Sequence, residues 1–179
     1  IDGHTSTSDT VLLLANGAAG AEATAAALDG VRRAIADVCA ELAEAIVRDA
    51  EGATHFVTID VRGLPTEADA VRVARAVADS PLVKTAIAGA DPNWGRIVSA
   101  AGYSGVPFEE RELSLTINGA SVYRDGVPQP FDGKTVSQSI RGNRDTSLVL
   151  TFTRGDASAR VLTSDLTAEY VRLNADYTT

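Results

Sequence analysis

The chain has no methionine, one cysteine, one tryptophan and two lysines beside fourteen arginines in its 179 residues. Each scarcity excludes something. A lone Cys39 rules out an internal disulfide and suits a reducing compartment, so a cytoplasmic location is expected. Without an initiator methionine, Ile1 is expected not to be a translation start, and the chain to have been cleaved or cut from a longer one. No apolar run approaches the roughly 18 residues of a membrane span, and nothing resembles a signal peptide. A net charge of −8 argues against nucleic-acid or anionic-membrane partners, both of which call for basic surface. His4, His55 and Cys39 lie far apart and make no zinc spacing, and no Gly-rich or Lys-bearing phosphate loop is present. No metal or cofactor is therefore expected. Internal repeats and low-complexity linkers are absent too.

What remains is the pattern of an α/β protein. Val11 to Ala15 is a wholly apolar run ending at Asn16-Gly17, which predicts a buried strand and a turn. Asp29 is placed to cap a helix whose residues Val31, Ile35, Val38, Leu42, Ala45 and Ile46 share one face, to about residue 49. Cys39 beside that face reads as a small core residue. At the helix end Gly52 suits a left-handed cap, and Glu51 is a carboxylate where the helix dipole disfavours negative charge. The period becomes two from His55 to Val61, a half-buried strand stopped by Gly63; Thr66 and Asp69 then open a second helix ending at Ser80-Pro81.

The densest punctuation follows. Leu82 to Ala88 reads as a short strand, Asp91-Pro92-Asn93 as a corner, and Trp94 as the start of a helix reaching about Gly102. Two readings of the corner stand side by side: a structural joint with Trp94 as a core plug and Arg96 paired to Asp91, or direct ligand contact by Arg96. Further on, Leu113, Leu115 and Ile117 alternate up to Asn118-Gly119, a strong hairpin signal, and Val122-Tyr123 begins the return strand. Residues 125–146 are turn-rich with one ordered segment at Val136 to Ile140. Ser147 to Thr153 and Ala159 to Thr163 read as a strand pair about Arg154-Gly155-Asp156. The chain closes in a short helix capped by Asp165, with Leu166, Tyr170 and Leu173 on one face and Tyr177 as an anchor.

Several long segments together resemble one family, the ornithine acetyltransferases (glutamate N-acetyltransferases), as its β-chain portion. They are Asp2-Gly3-x-Thr5-Ser6-Thr7-x-Asp9 through Gly17, Val47-Arg48-Asp49-x-Glu51-Gly52-Ala53-Thr54, Ser80 through Ala86, Asp91 through Arg96, Asp165-Leu166-Thr167, and Asn174-Ala175-x-Tyr177-x-Thr179. They run in the family's order from end to end, and a relative from clavulanic acid gene clusters matches the pattern as well as an arginine-pathway enzyme does.

The resemblance implies a self-cleaving, layered α/β fold of the ornithine acetyltransferase/aminopeptidase kind. Residues 1–53 would be the end of the catalytic domain and residues 54–179 a C-terminal α/β domain. It implies a precursor cut before a threonine that takes an acetyl group from N-acetylornithine, releasing ornithine, and passes it to glutamate, giving N-acetylglutamate. The partner would be the α chain of the same precursor, in an α2β2 or larger assembly. The Ala-Thr-Met-Leu cleavage motif is absent, so no catalytic residue is assigned within this chain. Substrate binding carries over to Glu51, Asn174 and Thr179. Two alternatives remain open: a hydrolase of the same fold, such as an aminopeptidase, and a non-catalytic assembly or metabolite-binding subunit.

Overall fold

The structure is a computed structural model in which residues 1–20 and 24–176 are described. The expected Tyr177 anchor and Thr179 fall outside the described residues.

The fold is built on β1 (Phe56–Leu64), the strand that lies second from one edge of a six-stranded mixed sheet. On one side β1 pairs in parallel with β5 (Asp145–Phe152), and on the other antiparallel with β6 (Ala157–Ser164). Beyond β5 lie β2 (Leu113–Ile117), β3 (Ala120–Arg124) and the two-residue β4 (Val127–Pro128), giving the order β4-β3-β2-β5-β1-β6. Alternation puts Val57, Ile59 and Val61 on one face, and all three are almost wholly buried against helices. The opposite face of β1 is less open than a simple in–out pattern predicts. Asp60 is also buried, gripped by Arg160 of the paired strand through Nε at 2.7 Å and Nη2 at 3.1 Å.

The expected hairpin of β5 with β6 does not form, because β1 lies between them. β1 and β5 run parallel, so both end on the same side of the sheet, and the connection to β6 steps over the end of β1 with Arg154 N–H donating to the Gly63 carbonyl at 2.9 Å. Nor does Gly63 stop the strand. It bulges it, and the chain continues to Leu64.

Helices cover the core face. Thr66 caps α2 (Glu67–Ala78) as expected, its hydroxyl accepting from Asp69 N–H at 3.1 Å; Val73, Ala74 and Val77 are buried. Leu82 to Ala88, expected as a strand, is helical: α3 (Pro81–Ala88) starts with Ser80 as its cap and Pro81 in the first turn, and Val83 and Ile87, four apart, face the core. A seven-residue apolar run fits either period, and the cap decides it. Asn93 caps α4 (Trp94–Gly102), accepting from Arg96 N–H at 3.2 Å. Trp94 is half-buried and stacks on Tyr123, ring centroids 5.3 Å apart. The expected Arg96–Asp91 pair is not formed: Arg96 Nη1 donates to the Leu82 carbonyl at 3.0 Å, and Asp91 accepts from Asn93 at 2.9 Å. Arg96 therefore ties α4 to α3, and the corner is a joint. Finally α5 (Gly133–Arg141) buries Val136 and Ile140 behind a cap by Asp132, and α6 (Ala168–Asp176) ends the described chain.

Two N-terminal expectations need correction. α1 (Ala25–Arg48) begins four residues before Asp29, capped by Thr24, while Asp29 pairs with Arg32. Its apolar face is present, yet Val31, Val38, Leu42 and Ile46 are 52–64% exposed, and Cys39 is exposed with them. Val11 to Leu14 pairs with no strand and is 72–89% exposed. A strand needs an edge to join and a stripe needs a face to cover; among the described residues neither is supplied.

Gly63 has φ +80°, and a Cβ there would lie 2.0 Å from the Phe152 carbonyl oxygen. Gly63→Ala should cost roughly 3 kcal/mol or more, since backbone strain and the clash add. Urea unfolding checks this; an unchanged midpoint would contradict it.

Candidate functional site

Where α1 ends, the backbone turns through residues 49–54 to enter β1. Gly52 takes φ +69°, and a Cβ there would stand 2.5 Å from Tyr170 N, so the turn sits directly on the start of α6. Thr167 seals the contact, donating its hydroxyl to the Gly52 carbonyl at 2.5 Å while accepting from Tyr170 N–H at 3.0 Å. Asp165 was expected to cap this helix. Thr167 does that work, and Asp165 is buried instead.

Asp165 binds both backbone and side chains of the turn. Its Oδ1 accepts from Thr54 N–H at 2.9 Å and His55 N–H at 3.1 Å; its Oδ2 accepts the Thr54 hydroxyl at 2.5 Å and lies 2.8 Å from His55 Nδ1. Burial pushes the carboxyl upward, but the hydrogen bonds from Thr54 and His55 outweigh it and hold it below the usual range. Thr, His and Asp together invite comparison with a nucleophilic triad, and the geometry refuses it. One nitrogen, Nδ1, faces both Thr54 Oγ1 (3.0 Å) and Asp165, while Nε2 is taken by the Ile140 carbonyl at 3.1 Å. A triad base uses opposite nitrogens for nucleophile and carboxylate. The cluster is a clamp.

The N-terminal segment forms the other side. Asp2 Oδ1 accepts from His4 N–H at 3.0 Å and Oδ2 from the Tyr170 hydroxyl at 2.9 Å; these hydrogen bonds, His4 first, outweigh burial and lower its pKa. Between this segment, the end of α1 and α6 lies an open cleft of about 470 Å³ whose lining includes Asp2, His4, Asp9, Glu51, Tyr170 and Asn174. Glu51 and Asn174, read separately from the sequence, thus line one cleft. Asn174 stands one turn beyond Tyr170 on α6 and donates its amide to the Tyr170 carbonyl at 2.9 Å. Among the described residues, no side-chain hydrogen bond or ion pair engages the carboxylate of Glu51, an exposed residue in the cleft lining. Thr179 lies outside the described residues. Among these, no cluster of His, Cys, Asp and Glu could hold a metal, and no helix is long and apolar enough to cross a membrane.

The model of the ArgJ family matches residues 1–179, the whole chain. The chain belongs to the ArgJ family. Its similarity to the arginine biosynthesis bifunctional protein ArgJ of Rhodopirellula baltica is 44% identity, over all of this chain and 45% of that protein. With the glutamate N-acetyltransferase of Methanocaldococcus jannaschii it is 41%, over all of this chain and 46% of that protein. The chain therefore spans about half the length of these curated relatives. A crystal structure of ArgJ from Bacillus halodurans, 34% identical, superposes with a TM-score of 0.92 over 99% of this chain and 84% of that one. The α/β fold is thus the fold of an ArgJ protein.

Sequence reasoning missed the residues that hold this ArgJ cleft together: Asp165, His55, Asp2, Tyr170 and Lys84. Only Lys84 carried a signal, as the one charged residue inside the apolar run from Leu82 to Ala88.

Because the folded-state pKa of Asp165 lies below its unfolded value of about 3.9, its contribution to stability is complete above that value and is lost as pH falls through the folded one. Asp165→Asn should cost about 3 kcal/mol at pH 7 and flatten the acid limb of the stability curve. Urea unfolding across pH 3 to 7 reads both, and a variant with the parent's midpoint and acid limb would contradict the clamp.

Proposed function

We propose that this chain supplies the amino-acid-binding wall of an acetyltransferase that moves the acetyl group of N2-acetylornithine to glutamate, through an acetyl-threonine whose threonine lies outside the chain. The observation that carries it is Glu51: a carboxylate with no partner among the described residues, at a helix end where it is locally unfavourable, sharing a cleft with Asn174. Membership of the ArgJ family and the glutamate N-acetyltransferase among its relatives support the reaction class.

In this reading the threonine hydroxyl attacks the acetyl carbonyl and its proton passes to the freed threonine amine as base; that proton then goes to the amide nitrogen as the C–N bond breaks, and ornithine leaves with a neutral α-amine. Glutamate's amine then attacks the acetyl ester and regenerates the hydroxyl. Glu51 holds the cationic side-chain amine of N-acetylornithine while the acetyl group is taken, and Asn174 and Thr179 close the pocket with amide, hydroxyl and terminal carboxylate. No cofactor enters.

The partner is the α chain of the same precursor, in an α2β2 or larger cytoplasmic assembly. Residues 1–53 complete its catalytic layered domain, and residues 54–179 form a C-terminal α/β domain. Supporting this, the hydrophobic core cluster runs from Val57 to Phe152, whereas the apolar faces of Val11–Leu14 and α1 are exposed. Faces of this kind are what an obligate partner covers.

Intact mass of the two-chain enzyme with N-acetylornithine tests the reaction: one acetyl gained on the threonine-initiated chain supports it. Steady acetate release with no adduct would favour a hydrolase, and neither product an assembly subunit. Glu51→Gln should lower kcat/KM for N-acetylornithine by about one to two decades, the worth of a charged hydrogen bond of roughly 1.5–3 kcal/mol, with melting unchanged. Parent-like kinetics would remove Glu51 from the site. Deleting Tyr177 to Thr179 should likewise spare folding and reduce activity sharply; full activity in the truncated enzyme would remove the tail from the pocket.

A further inference from the structure

Lys84 is only 5% exposed, yet its ammonium has no carboxylate within ion-pair distance among the described residues. Its Nζ donates to three oxygens instead: the Ile1 carbonyl at 2.6 Å, Thr163 Oγ1 at 2.9 Å and the Ser164 carbonyl at 2.5 Å. Burial pushes the ammonium's pKa down, against the pull of Asp165, Asp79 and Asp2. A buried cation satisfied by neutral acceptors alone is a costly way to fill a slot that a methionine would fill as well. What the ammonium does that a methionine does not is join pieces of chain that no helix or strand ladder joins.

Those pieces lead into residues that line the cleft or hold its lining in place. Ile1 is followed by Asp2, whose carboxylate accepts from the Tyr170 hydroxyl, and Asn174 hangs from the Tyr170 carbonyl one turn later. On the other side Ser164 is followed by Asp165, which clamps the turn bearing Glu51. The Lys84 carbonyl also accepts from Leu166 N–H at 3.3 Å, so the link to the start of α6 is gripped from both ends of the lysine. Three donors on one nitrogen allow this convergence, where the planar fork of arginine spreads its bonds outward.

We propose that Lys84 is a positioning residue for the cleft, fixing α6 and Asn174 through Ile1, Asp2 and Tyr170 so that Asn174 and Glu51 share one cleft lining. The proposal rests on the reading that the cleft takes the diamino acid. Loss of Lys84 should therefore weaken substrate capture more than turnover, and should act through Tyr170.

The test is steady-state kinetics of the full two-chain enzyme with N-acetylornithine, comparing Lys84→Met, Tyr170→Phe and the double variant. Lys84→Met should raise KM about tenfold while kcat stays within about threefold, and the double variant should be no worse than Lys84→Met alone. An unchanged KM, an equal loss in kcat, or effects that multiply in the double variant would each overturn it. Should Lys84→Met not fold, Lys84→Gln, which keeps an amide donor in the slot, is held to the same criteria. A parent enzyme with no transfer from N-acetylornithine would fail the functional reading, not this one. Amide exchange at residues 170–174 then decides: faster in both Lys84→Met and Tyr170→Phe if the chain of contacts holds, unchanged in Lys84→Met if it does not.

Discussion

Asp165 and Lys84, two buried charges of opposite sign, meet the chain at the end of one strand and gather everything that converges on the cleft. β6 delivers Ser164 and Asp165 side by side: the first gives its carbonyl to Lys84, and the second takes four contacts from Thr54 and His55. The pull between charges matters less here than the hydrogen bonds each collects. In a buried setting an unpaired donor or acceptor is expensive, so each polar group in the knot holds its neighbours to one geometry. Without it, the turn after α1, the N-terminal segment and α6 would be three loose ends on one side of the sheet.

The sheet makes that gathering possible. β1 runs antiparallel to β6, so the start of β1 and the end of β6 coincide, at Phe56 and Ser164. Each strand continues there into a cleft element, β1 backward into the Glu51 turn and β6 forward into α6. The core below is ordinary aliphatic packing under α2, α3 and α4, and the Asp-Pro-Asn corner with Trp94 belongs to that scaffold. Its density of punctuation reflects a tight helix–helix joint, and Arg96 is spent on a helix carbonyl.

Local signals made much of this legible in the sequence. The alternation of β1 and β2, the Thr66 cap and the Asn118-Gly119 turn are properties of short windows, and they stand in the structure where the residues place them. Long-range pairing was not legible: nothing in Ser147 to Ser164 announces that β1 enters between β5 and β6. Leu82 to Ala88 departs from expectation because a short apolar run has no decisive period, and Val11 to Leu14 because an apolar run does not itself supply a strand to pair with, and none pairs with it among the described residues. Of the site, Glu51 and Asn174 came from resemblance to a family. The clamp at Asp165 could not be seen, since an aspartate before a helix looks like a cap whether or not it turns inward.

Glu51, with no side-chain partner among the described residues, lines one cleft with Asn174 beside the buried charges of Asp165 and Lys84, and the proposed function gives this chain substrate recognition while the threonine that makes the bond lies outside it. The structure of the assembled two-chain enzyme with N-acetylornithine bound tests that division most directly. The side-chain ammonium of the ligand is expected within hydrogen-bond distance of the Glu51 carboxylate, with Asn174 lining the same pocket. A ligand bound elsewhere, with Glu51 and Asn174 facing solvent, would contradict it.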